Sequence, residues 1–144
     1  IPAISTGDIF RNSCDQALRL FHQAGFPKEM LLMGAAFYSR KWENVKDRYH
    51  GFLQYTEKGG GYGPNYDELA EKYIDKNGYV AYWDDEAKAP FLFNGSTFIS
   101  YDDERSLSCK CKYVKEEGIG GIFYWCHTGD TSGVLLRKIG EEIR

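Results

Sequence analysis

Apolar residues recur at Cys14, Ala17, Leu18 and Phe21, the i, i+3, i+4, i+7 spacing of an amphipathic helix, with Ser13 or Asn12 placed to cap it. Gly25 and Pro27 end that helix. The next segment, "MLLMGAAFY" at 30–38, shows no alternation. A near-continuous apolar run of that length predicts a strand covered on both faces, as in a parallel sheet. From 41 to 65 the pattern lapses: "KWENVKDRYHGFLQYTEKGGGYGPN" is polar, glycine-rich and reads as loop.

Helical spacing returns after Asn65 at Tyr66, Leu69, Ala70, Tyr73 and Ile74, and Asn77-Gly78 closes it. Three short runs follow, "YVAYWD", "APFLF" and "TFISY", with the hairpin pair Asn94-Gly95 before the last; they predict a small antiparallel meander. Asp102 or Asp103 then caps a helix whose stripe is Leu107, Cys111 and Val114, ending near Gly118. A second buried strand, "GIFYW", ends on Trp125. Ser132 opens a last helix carrying Leu135, Leu136, Ile139 and Ile143. The order is helix, buried strand, inserted antiparallel α+β module, helix, buried strand, helix. Two parallel-type strands cannot cover each other's faces, so this pattern expects further strands outside the chain.

Composition narrows the function. The 144 residues carry a net charge of −3 and no basic stripe, which argues against nucleic acid as a partner. No apolar run approaches the roughly 20 residues of a membrane span, and "IPAISTGDIF" is not a signal peptide. The chain does not begin with methionine and reads as part of something longer. Cys109 and Cys111 on one helix point about 200° apart, no cysteine spacing matches a zinc pattern, and His22, His50 and His127 form no metal spacing. No metal and no organic cofactor is expected; Cys14, Cys109, Cys111 and Cys126 read as ordinary thiols, with their disulfide state open. Aromatic residues make up 16% of the chain, with eleven tyrosines. That excess suits carbohydrate, because the apolar face of a sugar ring stacks on a flat ring. Trp125 is the pointed case: the largest aromatic closing a strand either plugs the end of a core or floors a site.

Three stretches carry a resemblance. "MLLMGAAFYSRKW" resembles the seventh barrel strand of family 18 glycoside hydrolases, an apolar run ending in Gly-x-x-Phe-Tyr-Gly-Arg. "YWDDEAKAPFLFNGSTFISYDDERSL" resembles their inserted module and the helix after it, and "GIGGIFYWCHTGD" their eighth strand. The likeness runs from about residue 12 to the end. Ser39 and Lys41 stand where the family commonly has glycine, and His127 is an unusual residue after the tryptophan. The family's Asp-x-x-Asp-x-Asp-x-Glu and Met-x-Tyr-Asp stretches occur nowhere in these residues. A full barrel needs about 250 residues. The resemblance therefore implies an α/β fold: the last strands and helices of a (β/α)8 TIM barrel with an inserted small antiparallel α+β module. Residues 1–42 would hold a helix and the seventh strand, 43–101 the insertion, and 102–144 a helix, the eighth strand and the last helix.

The resemblance also implies a chemistry. The intact protein would hydrolyse β-1,4-linked N-acetylglucosamine polymers, chitin or related glycans, by retaining catalysis in which the substrate's own N-acetyl group is the nucleophile. The carboxylic acid of that reaction is absent from this chain, so the chain alone is expected to be inactive. The alternative is a non-catalytic chitinase-like lectin. Trp125 would floor the sugar site, and Tyr38 and Arg40 match the Tyr-x-Arg that ends the seventh strand. Trp42 either lines the cleft wall or packs against the insertion. Asp67 and Glu68 read as first-turn carboxylates on a helix dipole, and Asp84, Asp85, Asp102 and Asp103 as turn and cap residues. Asp130 either caps the last helix or orders the loop over Trp125. The expected partner is an N-acetylglucosamine-containing polysaccharide, with a homo-oligomer forming through exposed barrel strands. Secretion is common in the family, which suits an extracellular or cell-surface location for the whole protein without fixing it.

Overall fold

The computed structural model describes residues 13–56 and 59–144. Helix α1 spans Cys14–Gln23, and the Ser13 hydroxyl accepts from the Gln16 N–H at 3.0 Å. Asn12, the other candidate cap, lies outside the described residues. Of the predicted apolar stripe, Leu18 is buried while Ala17 and Phe21 are exposed.

Strands β1 (Leu32–Ala36) and β7 (Gly121–Trp125) pair in parallel, in register from Leu32 opposite Gly121 to Ala36 opposite Trp125. Side chains alternate across a strand. One face of the pair carries Met33, Ala35, Ile122 and Tyr124 into the core, against α3 (Glu104–Glu117) and α4 (Val134–Glu142). Leu107, Cys111 and Val114 of α3 and Leu135 and Ile139 of α4 are buried there, as their spacing predicted. The other face is bare. Leu32 is 53% exposed, Phe123 49% and Trp125 68%. The strands are of the type that is covered on both faces, and, as expected of a pair too few to cover each other, one face stays open: among the described residues, α1, α3 and α4 pack on the same side.

The second sheet is antiparallel, in the order Gly61–Asn65, Tyr38–Trp42, Phe98–Ser100, Ala89–Phe93, Val80–Asp84. The predicted meander is present as β4 (Val80–Asp84), β5 (Ala89–Phe93) and β6 (Phe98–Ser100). Two further strands, β2 (Tyr38–Trp42) and β3 (Gly61–Asn65), arise from the tail of the seventh-strand motif and from the segment read as loop. Strand β3 is an edge strand, which is where Pro64 is tolerated. A short helix α2 (Tyr66–Glu68) continues as a wider turn over Leu69–Tyr73, and Asn65 caps it by accepting from the Glu68 N–H. Leu69, Leu92, Ile99 and Tyr101 form this sheet's core with Tyr66, Tyr73 and Tyr79 around them. On the opposite face the rings of Tyr82, Phe91, Phe98 and Trp42 follow one another across four strands, with centroids 5.3, 5.0 and 5.9 Å apart. His50 stacks on Tyr82 and Phe52 on Phe91. Much of the aromatic excess is therefore packing.

Phe37 joins the two sheets. It is fully buried and stacks on Tyr124 at 4.7 Å. Its N–H donates to the Trp125 carbonyl at 2.8 Å, and its own carbonyl accepts from the Tyr66 N–H at 3.1 Å.

Candidate functional site

Trp125 ends β7 beside Ala36, its register partner. Its backbone is held by Phe37, yet its indole is mostly in solvent, so it does not plug the core. The Trp125–Cys126 peptide is cis, and the chain then makes a 3-10 turn over His127–Gly129. Gly129 lies so close under the Phe37 carbonyl that a Cβ there would collide with it.

The loop beyond is tied down at two carboxylates. Asp130 is 1% exposed and accepts from Ser132 Oγ at 2.7 Å and from the backbone N–H groups of Val134, Leu135 and Leu136 at 3.2, 2.8 and 3.2 Å. Its carboxylate closes the N-terminus of α4 from three residues ahead of the Gly133 N-cap, and α4 starts at Val134 rather than at Ser132. Asp67, on α2, accepts from the Thr131 N–H at 2.9 Å and from its hydroxyl at 2.7 Å. Burial pushes the Asp67 carboxyl up, but the Thr131 bonds, with the Ser132 backbone, outweigh it and hold it below the ordinary carboxylate value. Asp67 thus does more than complement a helix dipole. Next to it, burial first and then Glu104, Asp103 and Asp130 push the Tyr66 phenol up to about 12.

Tyr38 and Arg40 lie on β2 of the antiparallel sheet, one residue beyond the Phe37 junction, rather than at the end of the parallel strand. Both line a cleft of about 490 Å³ between the two sheets, along with Ala36, Ser100, Asp102 and Lys110. Tyr62, in the segment read as loop, joins them. It pairs with Arg40 across β2 and β3, its ring meets Tyr38 edge-on at 5.5 Å, and the Arg40 guanidinium sits 4.8 Å above it. Tyr62 is 76% exposed. An open phenol ring carrying a guanidinium offers both a stacking face and hydrogen-bond donors. Trp42 is not part of this group. Its half-buried indole meets Phe98 edge-on and is pressed by Gly60, where no Cβ would fit.

The remaining acidic candidates are turn and cap residues with one exception. Asp84 accepts from the Glu86 and Ala87 N–H groups, Asp85 pairs with Lys88, and Asp103 forms a capping box with Ser106. Asp102 instead is buried and accepts from the Ala36 N–H, Ser106 Oγ and Lys110 Nζ. Cys14, Cys109, Cys111 and Cys126 are free thiols. Among the described residues no group of three or more His, Cys, Asp or Glu is placed to hold a metal, and no helix is long and apolar enough to cross a membrane.

The profile of Glycosyl hydrolases family 18 matches residues 3–130. The chain belongs to that family. Among solved structures it superimposes on a family 18 N-acetylglucosaminidase from Paenibacillus barengoltzii with a TM-score of 0.92 at 50% identity, covering 95% of this chain and 40% of that one. A multi-modular, cell-surface-expressed chitinase from Paenibacillus sp. str. FPU-7 gives 0.87 at 39% identity over 97% of this chain and 17% of its own. Chitinase A1 of Niallia circulans is 37% identical over 128 residues, 83% of this chain and 18% of that protein. The chain thus has the mixed α/β fold of family 18 proteins and spans 40% or less of the length of these relatives.

Proposed function

We propose that these residues form one flank of a saccharide-binding cleft at the closing end of a (β/α)8 barrel, in a protein that hydrolyses β-1,4-linked N-acetylglucosamine polymers such as chitin. The observation that carries this reading is the exposed Trp125 indole at the C-terminal end of a parallel strand, the end where barrel enzymes build their sites. Residues 13–37 and 102–144 supply barrel elements, and β2 to β6, within 38–101, belong to the insertion. Trp125 is the apolar floor under the sugar, and Tyr38 and Arg40 donate hydrogen bonds from the side wall. Tyr62 extends that wall, and Trp42 braces it from within the module. In the substrate-assisted scheme of the family the acetamide attacks and one protein carboxyl protonates the leaving oxygen. That carboxyl comes from outside these residues, so the 144-residue chain binds without cleaving.

The test is a titration of the chain with N-acetylglucosamine tetrasaccharide, followed by indole fluorescence. The emission should change saturably in the parent chain and not in Trp125→Ala. Equal responses from both, or hydrolysis of the tetrasaccharide by the purified chain, would defeat the proposal. The bare face of Leu32, Phe123 and Trp125 and the open outer edge of β7 also favour self-association of the chain alone. Light scattering should show a dimer or larger species at high concentration; a clean monomer would refute that part.

A further inference from the structure

Two aspartates stand side by side after β6, and only one has its role settled by helix capping. Asp103 accepts from the Ser106 N–H at 2.7 Å and its own N–H donates to Ser106 Oγ at 2.9 Å, which completes the cap of α3. Asp102 is left over, yet it is 6% exposed. A buried carboxylate is costly unless it is paired and hydrogen-bonded. Asp102 has three partners drawn from two directions: Ser106 Oγ at 2.8 Å and Lys110 Nζ at 2.5 Å from α3, and the Ala36 N–H at 2.9 Å from β1. Lys110 Nζ also donates to the Gly34 carbonyl at 3.1 Å. Within the described residues β1 has one strand neighbour, β7. The Gly34 carbonyl and the Ala36 N–H are therefore satisfied by this ion pair, as a neighbouring strand would satisfy them.

The location gives the arrangement its consequence. Ala36 is the register partner of Trp125, and the next residue, Phe37, binds the Trp125 carbonyl. Tyr38 follows immediately. Asp102 itself is carried at the end of the antiparallel sheet, two residues past Ser100, which pairs with Arg40. One carboxylate thus ties the module that bears Tyr38 and Arg40 to the strand end that seats Trp125. We infer that Asp102 is a positioning residue: through the Ala36 N–H it fixes the indole of Trp125 relative to the Tyr38–Arg40 wall. The acceptor oxygen matters, and the negative charge serves to neutralise Lys110.

This rests on the carbohydrate reading only for its sugar arm; the positional arm is read without ligand. The variants are Asp102→Ala, Lys110→Met, and the pair Asp102→Asn with Lys110→Met, made in the 144-residue chain. The pair keeps an oxygen for Ala36 and removes the unpartnered ammonium. Proton–nitrogen NMR reads the Ala36 amide and the Trp125 indole Nε1–H well below the melting temperature. Asp102→Ala should move both resonances and weaken N-acetylglucosamine tetrasaccharide binding about tenfold, since a small misplacement of a contact group is felt steeply. Lys110→Met should move them less, and the paired variant should return both, with affinity within about twofold of the parent.

A residue that merely holds the fold would lower the melting temperature and leave the Trp125 signal in place, and that result overturns the inference. So does failure of the paired variant to restore the Trp125 signal. Should Asp102→Ala not fold, Asp102→Val with Lys110→Met decides, since it removes the acceptor without stranding the ammonium: an unmoved Trp125 resonance there refutes it. If the resonances move as stated while neither the parent nor Trp125→Ala responds to the sugar, positioning stands and the carbohydrate reading falls.

Discussion

Replacing Asp130 with alanine should cost this chain about 3 kcal/mol, and the figure follows from what the carboxylate touches. It receives the first three N–H groups of α4 and the Ser132 hydroxyl, in a place almost closed to water. Loss of an N-cap acceptor costs about 1–2 kcal/mol. Loss of a negative charge at a partly buried helix N-terminus, with N–H groups left orphaned, adds about 1–2 more. Gly133, with φ of 69°, offers no side chain to replace it. The damage should spread, because Leu135 and Ile139 of α4 share a cluster with Phe37 and Cys111. For a chain of this size about 3 kcal/mol lowers the melting temperature by roughly 10 °C. Far-UV circular dichroism on Asp130→Ala and Asp130→Asn measures it, the asparagine falling between alanine and the parent because it keeps one acceptor. An Asp130→Ala melting temperature within about 2 °C of the parent would mean that the cap is not what holds α4.

Asp67 gives a pH prediction whose sign is fixed by its lowered carboxyl. A group held below its ordinary 3.8 contributes stability that is fully present above that value and lost as the pH falls through the lower folded one. The Thr131 amide resonance should therefore stay constant from pH 7 to about 5 and move only in acid; a titration between pH 5 and 7 would contradict the latch. Cys111 is fully buried, and burial first, then Glu142, push its thiol up. Iodoacetamide followed by mass spectrometry should label Cys109, which lines the cleft, well before Cys111 in the native chain. Equal rates would show that α3 is not packed as described.

Helices α3 and α4 were legible because each has a stripe that only one geometry buries, and β1 and β7 because each is an apolar run. Leu107, Cys111 and Val114 are such a stripe, and all three are buried. Strand β3 was not legible. "GGGYGPN" has no alternation and reads as loop, yet its glycines are demanded by close approach: at Gly60 a Cβ would strike the Trp42 indole, and at Gly63 the hydroxyl of Ser39. Ser39, in turn, is buried and donates to the Pro64 carbonyl at 2.7 Å. The strand is made by its neighbour's backbone and by the absence of side chains, neither of which a hydrophobic pattern records. The bare face was legible from the count of strands, since two parallel-type strands cannot cover each other. An apolar run states that a strand is made to be covered, and cannot state whether the covering elements belong to the same stretch of chain.

The candidate site divides along the same line. Trp125, Tyr38 and Arg40 stood out because their residue types and their place at strand ends suffice to nominate them. Tyr62 owes its position to cross-strand register with Arg40, a relation fixed by hydrogen bonding between segments far apart in sequence. Asp102 was hidden by its neighbour, since either aspartate could begin the helix. The sequence did hold a signal that separates them: Ser106 is three residues after Asp103, so Asp103 alone can complete the reciprocal cap. Asp102 is then a carboxylate with no local duty, followed at Ser106 and Lys110 by a hydroxyl and a cation on one helix face, four and eight residues on. A surplus carboxylate with partners at that spacing is the mark of a charge held inside the fold. In this fold the remaining partner it reaches is the backbone beside Trp125.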